Sequence, residues 1–312
     1  MSVTARFKRA VLALMLATTP VAGVAADCST VRMVDVGWTD NMAQNGLATV
    51  VLTALGYKVE PNLLSLPITF ESLARGDIDV FTDHWLPSME GIIAPYKAAG
   101  SIDVVRTNLE GAKFTLATNP AGKALGIADF KDIAAHADAL DGQMYGVEAG
   151  NDGNRLILDI IAKDAFGMGK LALVESSEQA MIAEVARLTA EGKPVVWLAW
   201  EPHPMNVKLD ITYLTGGDDF FGPNLGGATV YTISRKGYTA DCPNPGRFFQ
   251  NLAFTLPMEN ELMGAILDYG TDPTAAAKTW LAAHPEVLGP WLEGVTTKDG
   301  GDALAAVTAA LK

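Results

Sequence analysis

Thiols and imidazoles are scarce in this 312-residue chain, which has two cysteines and four histidines. The histidines are scattered and show no zinc-ligand spacing, so no metal site is expected. Basic residues are in deficit, with 23 Lys and Arg against 36 Asp and Glu. A chain with that balance repels nucleic acid and anionic lipid. After the N-terminus no run of about 18 or more apolar residues occurs, so no membrane-spanning helix is expected. There is no tandem repeat, no low-complexity tract and no long Pro/Gly/Ser linker. Nor is there a Ser/His/Asp or Cys/His arrangement for nucleophilic catalysis.

The N-terminus sets the compartment. Arg6, Lys8 and Arg9 precede an apolar run over 10–17, and Val24, Ala25 and Ala26 supply the small residues that a signal peptidase accepts. Residues 1–26 read as a cleavable signal peptide and the remainder as an exported, periplasmic chain. Removal takes away three positive charges and no negative ones, leaving 20 basic against 36 acidic side chains, a balance of −16. In an oxidising compartment Cys28 and Cys242 can pair, and one disulfide tying down the mature N-terminus is expected over two unrelated thiols.

The pattern of the mature chain is α/β, and its length suits two lobes. Residues 31–36 form an apolar run of strand length, 42–55 have helical spacing ending at Gly56, and 58–66 alternate like a second strand. A short helix over 69–75 is stopped by Gly76, and strands are expected at 78–82 and 113–118. A second series follows: strand 143–147, helix 152–165, helix 178–190 and a buried strand over 194–200. Strand 228–234 and Ala/Leu-rich helices, with Trp280 and Trp291 among them, close the chain.

Large aromatics recur where strands end. Trp38 with Asp40 follows the first strand, Trp85 stands in "DHWLP", Phe114 in "AKFTLAT" and Trp200 in "LAWEPHP". Open α/β sheets place ligands outside the carboxyl ends of their strands. Any one of these rings could be a packing residue. Together they could form a cage, since a cation within about 6 Å of a ring centroid gains roughly 0.5–2 kcal/mol per ring. "EAGNDGNR", residues 148–155, reads first as a capped helix start, and its free N–H groups and Asn151 could also bind. An exported carbohydrate-active enzyme is the rival reading, with the tryptophans as sugar platforms and Asp40 and Glu201 as an acid/base pair. Glu201 could equally hold a loop.

In order along the chain, "DVGWTD", "GDIDVFTDHWLPSME", "GAKFTLATN", "EAGNDGNRLI", "ESSEQAM", "WEPHPMN", "YLTGGDDFFGPN", "PMENELMGAIL" and "TKDGGDALAAV" resemble the glycine betaine/choline substrate-binding family of ABC importers, and within it the periplasmic choline binders. The resemblance covers essentially the whole mature chain. It implies a two-lobed, flytrap-like α/β fold with the ligand cleft between the lobes, no enzyme activity, no cofactor, a membrane permease as partner and a monomeric chain. Lobe I is expected over 27–112 with a return segment over 213–312, and lobe II over 113–212. The first of these is bound to the last if Cys28 meets Cys242. Carried over, Trp38, Trp85 and Trp200 are three walls of an aromatic box around a trimethylammonium group. Phe114 is the fourth wall, where the family's choline binders place a tyrosine. Asp40 supplies a countercharge, and Asn151 is a second partner of the choline hydroxyl. Choline is the expected ligand, because the carboxylate of glycine betaine would be repelled by Asp40. Carnitine and trimethylamine N-oxide share the methylated nitrogen and remain alternatives.

Overall fold

The structure, a computed structural model, describes residues 27–312. The expected signal segment 1–26 lies outside the described residues. Nine strands form one sheet: β1 Thr30–Asp35, β2 Lys58–Leu63, β3 Val80–Leu86, β4 Ile102–Thr118, β5 Gln143–Tyr145, β6 Ala172–Val174, β7 Val196–Glu201, β8 Thr212–Tyr213 and β9 Gly227–Arg235. Their order is β2-β1-β3-β9-β4-β7-β5-β6, with β8 added beside β4. β2, β1 and β3 run parallel, as do β6, β5 and β7, each group linked by helical crossovers. β9 and β4 are antiparallel to their neighbours.

The 17-residue strand β4 divides the sheet into two halves. Residues 102–113 pair with β9, and residues 113–118 pair with β7, so the partner changes at Lys113. Three register shifts interrupt the β4/β9 ladder, and such bulges bend and twist a strand. The sequence pattern marks only 113–118 as strand. The earlier part carries Arg106, Asn108, Glu110 and Gly111, which break the apolar alternation. Asn108 is nevertheless buried, its amide donating to the Thr82 carbonyl and the Thr232 hydroxyl.

Helix Thr39–Ala54 fills the space beside the first half, starting three residues earlier than its apolar spacing suggests. The late helices Leu256–Tyr269 and Pro273–Ala283 pack on it, which returns the C-terminal part of the chain to the first half. Gly46 permits this approach, since a Cβ there would stand 2.5 Å from the Pro273 carbonyl oxygen. Cys28 and Cys242 form a disulfide with Cα atoms 5.5 Å apart, fastening the start of the described chain to the segment after β9. In the second half, helix Asp152–Ala162 is capped by Asn151 and helix Glu178–Ala190 by Ser177. No helix among the described residues is long and apolar enough to cross a membrane.

Candidate ligand-binding site

At or just beyond the carboxyl ends of β1, β3 and β7 stand three tryptophans that meet at one cavity. Trp38 follows β1, while Trp85 and Trp200 are the penultimate residues of β3 and β7. With Asp40, Met89, Phe114, Val147, Asn151 and Asp152 they line one cavity. Its lining is mostly apolar with a few polar groups, the composition of a small-molecule site. The structure thus brings together Trp38, Asp40, Trp85, Phe114, Asn151 and Trp200. Met89, Val147 and Asp152 are additions that sequence reasoning missed.

Two of the indoles have their N–H groups satisfied by carboxylates, and the third packs against an imidazole. Trp38 Nε1 donates to Glu148 Oε1 at 2.8 Å, a bond between the two halves. Trp85 Nε1 donates to Asp83 Oδ1 at 2.8 Å, and Gln44 Nε2 donates both to that oxygen and to Glu259 Oε1. Trp200 stands edge-on to His203 with ring centroids 4.9 Å apart. Phe114 lies 5.9 Å from Trp85 between centroids and is backed by Phe221 at 6.3 Å. Behind it Gly153 leaves room for the ring, since a Cβ would stand 2.6 Å from both Phe114 Cζ and Leu198 Cδ2 and one of them would have to shift.

Asp40 does not cap its helix. Trp38 holds the N-cap position, and Asp40, one residue into the helix, accepts from the Asn41 N–H at 2.8 Å. Asn151 does cap its own helix, accepting from Gly153 and Asn154, while its amide nitrogen lies 3.3 Å from Glu148 Oε1. Its position in the cavity wall is therefore held by the cap.

Carboxylates dominate the electrostatics. Burial pushes the Asp40 carboxyl up to about 7, assisted by the nearby charge of Glu178 and, more weakly, Glu148. Burial raises Asp152 to about 6, opposed by the Ser88 hydroxyl and by Arg155. Glu148 is raised mainly by burial, against the hydrogen bond from Trp38. Asp83 and Glu259, deeper still, are raised well above their ordinary values by burial and by the neighbouring acids. No Lys, Arg or His lines the cavity. Such a site disfavours anions and gains from a bound cation, which supplies the missing countercharge.

Glu201 does not belong to this lining. It pairs with Lys113 at 2.8 Å, a half-buried bridge at the point where β4 changes partners, and it makes no acid/base pair with Asp40. Among the described residues no group of three or more His, Cys, Asp or Glu could hold a metal ion.

Comparison with known proteins gives a consistent picture. A family model described as the substrate-binding domain of an ABC-type glycine betaine transport system matches residues 29–283. A solved ABC-transporter choline-binding protein in complex with choline is 58% identical, with a TM-score of 0.90 over 91% of this chain and 99% of that one. An unliganded, semi-closed structure of an ABC-transporter choline-binding protein, also 58% identical, gives 0.85 over 92% and 99%. The present structure is nearer to the choline complex than to the semi-closed form. A glycine betaine/carnitine transport binding protein of Listeria monocytogenes is 31% identical over 130 residues, 42% of each chain.

Proposed function

The chain belongs to the family of substrate-binding domains of ABC-type glycine betaine transport systems, and from that premise we propose that it binds choline and delivers it to a membrane permease. The family is one of transport binding proteins, which sets aside the carbohydrate-active enzyme. Such proteins have two lobes and act outside the cytoplasm. We place the lobe boundaries at the partner change in β4, with lobe I over 27–112 and 213–312 and lobe II over 113–212. Residues 1–26 act as the cleaved signal that sends the chain to the periplasm.

One observation carries the ligand assignment. Three indoles and Phe114 share a cavity with Asp40 and Asp152 and with no basic side chain. Rings offer negative faces to a cation at roughly 0.5–2 kcal/mol each, and the acids add a countercharge. Methyl groups on the nitrogen match the apolar walls, and a hydroxyl can donate to Asp40 or accept from Asn151. A zwitterion such as glycine betaine or carnitine would bring a carboxylate toward Asp40, Glu148 and Asp152 with no cation to receive it. The resemblance to proteins that bind choline points the same way.

Isothermal titration under identical conditions with choline, acetylcholine, glycine betaine, carnitine and trimethylamine N-oxide tests this reading. Choline should bind with micromolar or better affinity, about 8 kcal/mol or more. Glycine betaine should bind at least about tenfold more weakly, a difference of about 1.4 kcal/mol. Tighter binding of glycine betaine than of choline would refute the assignment.

A further inference from the structure

The helix that carries Asp40 starts without a cap of its own. Trp38, at the N-cap, has no side-chain oxygen to accept from the first N–H groups. The acceptor for Thr39 comes from the opposite lobe. Glu178, the first residue of helix Glu178–Ala190, reaches across the cleft, and its Oε2 accepts from Thr39 N at 2.9 Å. Its Oε1 lies 3.0 Å from His203 Nε2, while His203 Nδ1 accepts from Met205 N at 2.9 Å. With Nδ1 used as an acceptor, the imidazole proton must sit on Nε2 and point at Glu178. Both carboxylate oxygens are thus engaged, one within lobe II and one across the cleft. The side chains of Glu178 and His203 are each only 1% exposed, so water does not compete. Glu178 is not part of the cavity lining.

We propose that Glu178 is a cross-lobe latch, a positioning residue that caps the Trp38–Asp40 helix only when the lobes are shut and so retains the ligand without touching it. A carboxylate at a helix N-terminus is favourable, and in the open state both it and the Thr39 N–H return to water. The latch therefore distinguishes closed from open, and only a contact with differential free energy can shift that equilibrium. Losing it should speed ligand escape and leave encounter unchanged. The inference rests on the ligand reading above only for its choice of choline as the probe.

Two variants attack the latch from opposite sides. Glu178→Gln keeps the size but leaves one acceptor, so whichever way the amide turns its NH2 faces an N–H group of Thr39 or of His203. Thr39→Pro deletes the donor at the first helical position, where proline is favoured. Trp38 already has the extended backbone, φ −90° and ψ 145°, that suits a residue before proline, and the Thr39 hydroxyl has no partner to lose. Melting curves establish that each variant is folded, and if one is not, the other carries the test.

Stopped-flow tryptophan fluorescence should show choline leaving each variant about tenfold faster, as expected for losing a hydrogen bond to a charged group, with the association rate within about twofold of wild type. The double variant should release choline no faster than the more impaired single variant, because both remove one shared interaction. If choline does not bind the wild-type protein, the ligand reading fails. The latch is then judged on the free protein, where Glu178→Gln should accelerate amide exchange across residues 38–42. Unchanged release together with unchanged exchange, or additive effects in the double variant, would overturn the latch.

Discussion

Acidification should weaken choline binding while stabilising the free protein. Asp40 is the pivot, its carboxyl pushed up to about 7 by burial first and by Glu178 second. A trimethylammonium group in the cavity favours the ionised carboxyl, so the value falls on binding and a proton is released. Affinity is therefore full above about pH 7 and declines as the pH drops through it. For a group at about 7, the ionised fraction is about 0.9 at pH 8 and about 0.03 at pH 5.5, which sets a ceiling of roughly thirtyfold on the loss. The protonated form keeps its aromatic contacts, so we expect a loss of about tenfold. Asp152, raised to about 6, steepens the decline below that pH.

The free protein behaves oppositely. A carboxyl whose folded value lies above its unfolded value of about 3.9 holds more protons in the native state between those two values, so stability falls as pH rises across that window. Asp83 and Glu259, raised mainly by burial, act with the same sign. Calorimetric titration at pH 5.5, 6.5, 7.2 and 8, in buffers of different ionisation enthalpy, reads affinity and proton release together. Asp40→Asn should flatten the profile at a lower affinity. A dissociation constant that stays within about twofold from pH 5.5 to 8, with no dependence on buffer, would refute the role given to Asp40.

Trp38→Ala, Trp85→Ala and Trp200→Ala should each weaken choline binding by at least about tenfold in calorimetry while circular dichroism shows a folded protein. A variant that loses affinity only by unfolding would mark that indole as a packing residue. Phe114→Tyr should change affinity by less than about 1 kcal/mol and Phe114→Ala should cost roughly 1–2 kcal/mol, since tyrosine keeps a π face and alanine does not. No change in Phe114→Ala with any methylammonium ligand would remove Phe114 from the box. Gly153→Ala should push the Phe114 ring from its place, because the new methyl would stand 2.6 Å from Phe114 Cζ. Choline affinity should drop by about tenfold with a smaller loss of melting temperature, and unchanged affinity would show that the wall can yield.

The α/β pattern was legible where strands are apolar and end abruptly. β1 and β7 and the helix of 178–190 lie close to where their hydrophobic spacing puts them, and Trp38, Trp85 and Trp200 stand at strand ends. β4 was not legible over 102–112, since its polar residues are satisfied by partners far along the chain, as with Asn108 on Thr82 and Thr232. The acids were the other loss. Asp83, Asp152 and Glu178 are buried and Glu148 is half-buried, yet an acidic residue in a sequence reads as a solvated surface group. Glu148 and Glu178 stand in the quoted segments "EAGNDGN" and "ESSEQAM", but nothing local indicates that their acceptors serve Trp38 and Thr39, more than a hundred residues away.

The central claim is that the aromatic walls read the methylated nitrogen. Choline and ethanolamine carry the same hydroxyl and the same charge and differ in three methyl groups. Titrating both into the wild-type protein in one buffer at pH 8 isolates that difference. The primary ammonium loses its contacts with Trp38, Trp85, Phe114 and Trp200 and is held more strongly by water. Ethanolamine should bind at least about a hundredfold more weakly than choline, about 2.7 kcal/mol. Comparable dissociation constants for the two would contradict the account.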